Sequence, residues 1–297
     1  MDEQADSFDL GACRPVVLGS EGRAGRAIAS LLASVAPDTV AATRVELDIT
    51  DYFGLRWELE RLEADLVINA AAWSDVDACE SDPGRAFAVN ATGALNAARA
   101  AAACGARMVH LSTDYVFDGT KGEPYVETDD PAPLSVYGRS KMAGELAVLA
   151  EHPGALIVRT AWLFGGDGRR PDFVDRILSA GRTSRQISVV SDQRGSPTPV
   201  RDLSEGVIAL VHSRARGLVH VAGAEGVDRL GFAAAILDAA GFTHVDLVPV
   251  AAGPSHAGAP RPADSRLNVD RYEALVGLPA PAWREALQES VMQRTSA

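Results

Sequence analysis

The sequence predicts an α/β protein, a doubly wound parallel sheet with a smaller C-terminal α/β lobe for substrate. Three observations predict it. A glycine-rich turn joins an apolar run to a helical pattern near the start of the chain. Short apolar runs and helical repeats then alternate through the first half. After Phe164 this alternation gives way to turn-rich segments. A parallel sheet opened by such a turn is the Rossmann-type arrangement.

The elements follow in order. Pro15 to Leu18 is the first strand, and R-A-I-A-S-L-L the first helix. Between them Gly19, Gly22 and Gly25 are spaced G-x-x-G-x-x-G, with Ser20, Glu21, Arg23 and Ala24 in the gaps. The first two glycines let the backbone approach a pyrophosphate, and the third lets helix and strand pack closely. The helix N-terminus adds N–H donors and positive dipole. Strand, glycine turn and helix together predict dinucleotide binding, against the plainer reading of an ordinary βα turn. Thr39 to Ala42 is the second strand. NAD-selective folds place an acid near its end for the ribose 2′-OH. Here Thr43 and Arg44 follow, which suits the 2′-phosphate of NADP, unless Arg44 is only a solvated surface charge. Asp48 and Ile49 are placed to meet the adenine. Leu55 to Leu62 repeats at helical spacing. Asp65 to Ala72 is a third strand ending in Ala70, Ala71 and Ala72, small side chains that leave room for a ligand. Pro83 to Ala103 reads as one long Ala-rich helix, with Asn90 bracing a neighbouring loop. Arg107 to Leu111 is a strand ending in Ser112 and Thr113, and Leu156 to Arg159 is the next.

Beyond Phe164 come a polar loop over 165–172, a helix from Phe173 to Ala180, the strand-like Q-I-S-V-V-S-D and the turn-rich D-Q-R-G-S-P-T-P. Leu218 to Val221 reads as a late strand returning to the main sheet, and 253–262 as another Pro/Gly-rich loop. The expected division is an N-terminal extension over 1–14 and a dinucleotide-binding domain over 15–165, with 200–222 crossing back to it. Residues 166–199 and 223–297 then form the substrate lobe.

Composition narrows the function. The chain has 297 residues, 47% of them hydrophobic, with a net charge of −12. That charge argues against nucleic acid as a partner. A phosphate-bearing ligand must therefore be met by local Arg, Lys or backbone N–H groups. No apolar run approaches the ~20 residues of a membrane helix, and the acidic first residues are not a secretory signal. A cytoplasmic enzyme is expected. The cysteines, Cys13, Cys79 and Cys104, have no regular spacing and give neither a disulfide framework nor a zinc site. No carboxylate cluster is assigned to a metal.

Tyr137 and Lys141 stand four residues apart in S-V-Y-G-R-S-K, so on a helix they share one face. A tyrosine titrates near pH ~10, and a nearby positive charge favours the phenolate. Tyr137 then becomes a usable proton donor to a developing alkoxide, with the hydroxyl of Thr113 or Ser112 holding the substrate oxygen. Y-x-x-x-K alone is weak, and the pair gains weight from its neighbours.

With these parts in place the chain resembles an extended short-chain dehydrogenase/reductase. Within that superfamily it is similar to the dTDP-4-dehydrorhamnose reductases. The resemblance rests on I-N-A-A-A-W-S-D-V-D-A-C-E (68–80), S-T-D-Y-V-F-D-G-T-K-G (112–122), P-L-S-V-Y-G-R-S-K-M-A-G-E (133–145), V-R-T-A-W-L-F-G (158–165), D-Q-R-G-S-P-T (192–198), R-P-A-D-S-R-L (261–267) and W-R-E-A-L (283–287). It implies NADPH, with NADH as a possible substitute, along Gly19 to Gly25, Arg44, Asp48, Ile49 and Ala70 to Ala72, and touching Tyr137 and Lys141. It implies a nucleotide-sugar substrate whose 4-keto group meets Thr113 and Tyr137. Ser112, Asp114, Trp162, Gln193, Pro197, Thr198 and Arg261 are its implied substrate contacts. Trp162 reads equally as a core aromatic. Arg261 is the implied partner of a diphosphate oxygen, with Arg194 and Arg201 as rivals. Monomer and homodimer are both open.

Related nucleotide-sugar 4,6-dehydratases carry an Asp-Glu pair after the active-site Thr. Here Asp114 is followed by Tyr115, which cannot be that elimination acid, so a simple ketoreductase is favoured. Asp264 stands where the family often has Asn, adding a negative charge near the lobe, and Trp73 where Tyr is common. These departures bear on the sugar, leaving open a streptose-type or other dTDP-4-keto-6-deoxyhexose. A non-catalytic regulatory subunit of this fold is the remote alternative, disfavoured by the intact Tyr137 and Lys141.

Overall fold

The computed structural model describes residues 8–166, 169, 171–252 and 258–295. Residues 1–7 of the expected extension lie outside the described residues, as do parts of the loops expected over 165–172 and 253–262. The first half runs β1 (Pro15–Leu18), α1 (Arg23–Val35), β2 (Val40–Ala42), α2 (Tyr52–Arg61), β3 (Leu66–Asn69), α3 (Val76–Ser81), α4 (Pro83–Phe87), α5 (Ala94–Ala103), β4 (Arg107–Thr113), α6 (Val136–Glu151) and β5 (Leu156–Thr160). The second half runs β6 (Leu163–Phe164), α7 (Phe173–Thr183), β7 (Gln186–Val190), β8 (Arg194–Gly195), β9 (Thr198–Pro199), α8 (Val200–His212), β10 (Gly217–His220), β11 (Val227–Asp228), α9 (Arg229–Ala239), β12 (Asp246–Val250), α10 (Asp270–Val276) and α11 (Trp283–Thr295).

Six strands form one parallel sheet in the order β10-β5-β4-β3-β1-β2. Every residue of β1, β3 and β5 is buried, as expected of parallel strands covered on both faces. Alternate side chains feed two cores. Val17, Leu66, Ile68 and Val109 pack with Ile28 and Leu32 of α1. Val16, Leu18 and Val67 pack with Leu55 and Leu59 of α2 and with Ala97 and Ala101 of α5. The strand read at Leu218 to Val221 is β10, paired to β5 with Val219 opposite Val158. Its helix α8 lies against α1, so the chain returns to the sheet after visiting the lobe. In the lobe, α7, α9 and α11 enclose Phe164, Ile177, Phe232, Trp283 and Leu287, and β12 pairs parallel with β7.

Side-chain caps set several helix starts. Asp51, Asp75, Asp82, Ser135 and Asp228 each accept an N–H of their helix's first turn. Asp172 and Asp175 make a reciprocal capping box on α7. The long helix read over Pro83 to Ala103 is interrupted: a single wide π-helical turn, Ala88–Gly93, separates α4 from α5. Asn90 lies in that turn. Its Oδ1 accepts from the Trp73 backbone N–H at 2.8 Å, and its Nδ2 donates to the Trp73 carbonyl at 3.0 Å and to Ser140 Oγ at 2.9 Å. The π turn therefore ties the loop after β3 to α6. Under the sheet end, Arg159 and Glu145 form a buried two-pronged ion pair at 2.9 and 2.6 Å. No helix among the described residues is long and apolar enough to cross a membrane.

Candidate active site

The C-terminal ends of β1, β3 and β4 lie side by side, because the three strands are parallel neighbours. A cleft of about 320 Å³ opens there, lined by Gly19, Glu21, Gly22, Arg44, Asp48, Ile49 and Ala70 to Ala72. Gly19 has φ +76°, and a Cβ on it would meet the Ala71 backbone at 2.5 Å. A Cβ on Gly25 would collide with the Gly19 carbonyl. These two glycines thus let turn, helix and β3 end pack against each other, while Gly22 faces the cleft. The Ser20 N–H donates to the Ala42 carbonyl at 3.0 Å. Arg23 turns away from the cleft to Asp172 and the Gly165 carbonyl, and Ala24 packs into the core. Arg44 is exposed and pairs with Asp48 at 3.3 Å. Glu46 accepts both the N–H and the hydroxyl of Thr43. Trp73 and Arg85 also line the cleft, with the guanidinium 4.5 Å from the indole centroid. The sequence singled out Trp73 only as a departure from the family and missed Arg85, because α4 brings Arg85 over Trp73 only after the fold forms.

Thr113 ends β4, and Tyr137 sits in the first turn of α6, so the Thr113 hydroxyl stands beside the Tyr137 phenol and acts on it. Thr113 Oγ1 also donates to Asp114 Oδ1 at 3.1 Å and accepts from the Tyr115 N–H at 3.2 Å. Asp114 Oδ2 accepts from Ser265 Oγ at 2.5 Å. Burial pushes the Asp114 carboxyl up to about 6, against the pull of those hydrogen bonds. Burial likewise raises the Tyr137 phenol above its ordinary value. The Thr113 hydroxyl lowers it, and Asp114 and Tyr115 raise it further. The Tyr115 ring stands edge-on to Tyr137, with centroids 5.9 Å apart. Lys141 is buried and turned toward β4, donating to the Leu111 carbonyl at 2.7 Å; burial lowers it to about 8. Among the described residues the buried Ser112 Oγ has no hydrogen-bond partner.

A second hollow of about 250 Å³ opens beside Trp162. Trp162 adopts φ +42°, a left-handed conformation that costs a non-glycine residue roughly 1–2 kcal/mol. It is held there by its neighbours. The Arg229 guanidinium lies 3.4 Å from its ring centroid, and even a methyl group on Gly195 would strike the indole. Arg229 also covers Phe173, and Arg176 lies over the same ring from the rim. Among the described residues neither guanidinium has a hydrogen-bond acceptor or ion-pair partner. Burial lowers Arg229 to about 10, opposed by Tyr115 and Asp114. Arg261 is committed differently, donating to Asp77 Oδ2 at 2.8 Å and the Ala259 carbonyl at 2.9 Å. It also lies near enough to the Tyr115 phenol for each to act on the other's charge. Thr198 is buried, its hydroxyl donating to the Ser196 carbonyl and accepting from Gly223 N–H. The Gln193 carbonyl accepts from the Arg229 N–H, and Pro197 is buried beside Gly223. Arg201 pairs with Glu205 and Glu289 at the surface. The charge of Asp264, expected to bear on the lobe, is matched by Arg266 at 2.6 Å. Sequence reading missed Arg229 and Arg176, which carry no motif.

The known proteins fit this geometry. The family described as RmlD substrate binding domain matches residues 14–296. The dTDP-4-dehydrorhamnose reductase of Mycobacterium tuberculosis is 44% identical over 92% of this chain and 91% of its own length. The dTDP-4-keto-6-deoxy-D-glucose reductase of Streptomyces niveus is 40% identical over 70% of this chain and 72% of its own. The crystal structure of dTDP-4-dehydrorhamnose reductase from Bacillus anthracis in complex with NADP superposes with a TM-score of 0.89 at 34% identity, covering 95% of this chain and 99% of that one. Matched by that family over residues 14–296 and by the Mycobacterium tuberculosis reductase over 92% of its length, the chain belongs to the dTDP-4-dehydrorhamnose reductase family.

Proposed function

We propose that the protein is an NADPH-dependent reductase of the C4 keto group of a nucleotide-linked 4-keto-6-deoxyhexose, converting dTDP-4-dehydro-L-rhamnose to dTDP-L-rhamnose. The observation that carries this is the Thr113 hydroxyl beside the Tyr137 phenol at the strand end next to the glycine cleft. The cleft suits a dinucleotide, since glycines and alanines line it where bulk would exclude a pyrophosphate. Bound there, NADPH supplies the hydride. Arg44 is the residue placed for its 2′-phosphate, and the same cleft admits NADH.

The chain's own residues do the rest. The Thr113 and Tyr137 hydroxyls hold the carbonyl oxygen, and Tyr137 gives it a proton as negative charge develops. The Asp114 carboxyl, held by Ser265 Oγ, takes the single Thr113 O–H in this structure, so Thr113 turns that O–H from Asp114 to the sugar's carbonyl oxygen when it holds it. Charged Lys141 steadies the phenolate that remains. Trp162 presents a flat wall to the sugar, with Gln193, Pro197 and Thr198 in the lobe segment that pairs beside it and Ser112 and Asp114 at the end of β4. Arg229 and Arg176 are the guanidiniums best placed to receive a diphosphate, because Arg261 already has Asp77. Tyr115, in the place of a dehydratase glutamate, leaves no elimination acid next to Asp114. A monomer or homodimer in the cytoplasm is the expected setting, which gel filtration and cell fractionation check.

A second reading is reduction of another dTDP-4-keto-6-deoxyhexose, streptose-type or similar. It is favoured by the likeness to the Streptomyces niveus reductase. The test is cofactor oxidation with dTDP-4-dehydro-L-rhamnose generated in place, NADPH and NADH side by side, with the product sugar identified. Formation of dTDP-L-rhamnose supports the first reading. NADPH binding without turnover of this sugar moves the substrate to the second.

A further inference from the structure

Behind Lys141 lies a buried polar pair that the reaction as described does not use. Asn69 ends β3, and His110 is its direct register partner on β4. Both are wholly buried, and Lys141 is 2% exposed. Asn69 Oδ1 accepts from the Ala71 N–H at 3.1 Å, so its amide cannot turn over without setting two donors face to face. Its Nδ2 therefore points at His110 Nδ1, 3.1 Å away. Burial and the Lys141 charge hold this imidazole neutral, and a neutral imidazole has one N–H and one lone pair. Because Nδ1 accepts, the proton sits on Nε2, which faces Lys141 Nζ at 3.3 Å.

That arrangement has a sign. An ammonium has three donors and no acceptor, whereas a neutral amine has a lone pair. The fixed Nε2–H therefore favours the neutral amine and opposes the ammonium. The Leu111 carbonyl accepts from Lys141 in either state. Glu145, on the same helix, is the charged group acting on Lys141, and it favours the ammonium. Arg159 on β5 takes both Glu145 oxygens and blunts that pull. The pair ends at buried Asn69, so it is no proton path to solvent.

We propose that Asn69 and His110 are positioning residues that fix the imidazole as an Nε2–H donor and thereby set the pH at which Lys141 loses its charge. The proposal rests on the reductase reading only for the role given to Lys141. Under that reading kcat/KM falls as pH rises through the Lys141 titration, near its lowered value of about 8.

The first measurement is nitrogen NMR of the full-length protein labelled on histidine, with His110 assigned by loss of its signal in His110→Phe. A neutral His110 protonated on Nε2 is expected at neutral pH, and an Nδ1–H tautomer or a charged ring would overturn the proposal. The second is the pH profile of kcat/KM in Asn69→Asp. The carboxylate accepts from both Ala71 N–H and Nδ1–H, so the ring proton moves and Nε2 becomes an acceptor for the ammonium. The high-pH limb should rise by about one pH unit or more, roughly tenfold in the Lys141 equilibrium. An unmoved limb overturns the proposal. So does a shift that persists in the double variant Asn69→Asp/His110→Phe, where only the field of the new carboxylate remains. Absence of any sugar turnover would remove the reductase reading, while the NMR result would still decide the tautomer.

Discussion

The cofactor cleft and the hollow beside Trp162 serve neighbouring parts of one proposed reaction but are built from different material. The cleft is lined by glycines and alanines at the strand ends together with Arg44, Asp48, Ile49, Trp73 and Arg85, and its shape follows from a parallel sheet whose strand ends lie side by side. The hollow is walled by long side chains: Trp162, Phe173, Arg176 and Arg229, drawn from separate segments of the lobe. The first wall recognises by leaving space. Under the proposed function the second recognises by filling it with aromatic faces and two guanidiniums that have no acceptor or ion-pair partner among the described residues. A surface with a net charge of −12 makes such local charge necessary for an anionic substrate. If the proposed function holds, the difference locates specificity: the cleft accepts a class of ligand, and the hollow selects among members of another.

The largest expected effect falls where the two regions meet. Tyr137→Phe should cut kcat by about 10²–10⁴-fold, the usual worth of a positioned proton donor, with NADPH affinity by calorimetry unchanged. Full turnover in that variant would sever the link between cleft and hollow. Next is the cleft alone. Gly25→Val places bulk against the Gly19 carbonyl, and NADPH affinity should fall at least about tenfold, with a lower melting temperature from overpacking of roughly 1–3 kcal/mol. The hollow alone comes third. Arg229→Leu should raise the sugar KM by about 10–100-fold, as expected for losing a charged hydrogen bond, while the Kd for NADPH stays put. If both constants move together, the two regions are not separable.

A smaller effect concerns Asp114. Its folded value of about 6 lies above the ordinary carboxyl value of 3.8. The folded protein then holds a proton that the unfolded chain has released. Stability from this group is present below the unfolded value and is lost as pH rises through that window, by roughly 2–3 kcal/mol at most. Asp114→Asn should flatten the urea midpoint between about pH 4 and pH 6. The smallest effect is Arg44→Ala, which should lower the NADPH-to-NADH preference by only several-fold, about 1 kcal/mol, because Arg44 is exposed and already paired with Asp48.

Much of the first region was legible because its signals are local. Gly19 to Gly25, Ala70 to Ala72 and the Tyr137–Lys141 spacing each sit within one turn, strand end or helix, so neighbours in the chain state their context. The return of β10 was legible from an apolar run standing alone after helical sequence. What escaped depends on register and packing. Asn69 and His110 are opposite each other only through the β3–β4 pairing. Glu145 meets Arg159 only when α6 lies across β5. Arg229 reaches Trp162 because β11 pairs with β8 and sets the start of α9 beside it. The direction of Lys141 was also beyond the sequence. Helical spacing puts it on the Tyr137 face, yet its amine is turned to the Leu111 carbonyl, a choice made by the strand beneath.

The wide turn at Ala88–Gly93 gives the chain a history and a weak point. A π turn holds one residue more than the α-helical turn it replaces. Removing one residue there would let the helix close up, rotating everything after it by about 100°. The alanine face of α5 that now meets α2 and the sheet would swing aside, and Asn90 would leave Trp73. Homologous chains of different length should therefore place their gaps in loops on either side and leave this helix at constant length, so that a single-codon deletion inside it is a sharper genetic lesion than most substitutions.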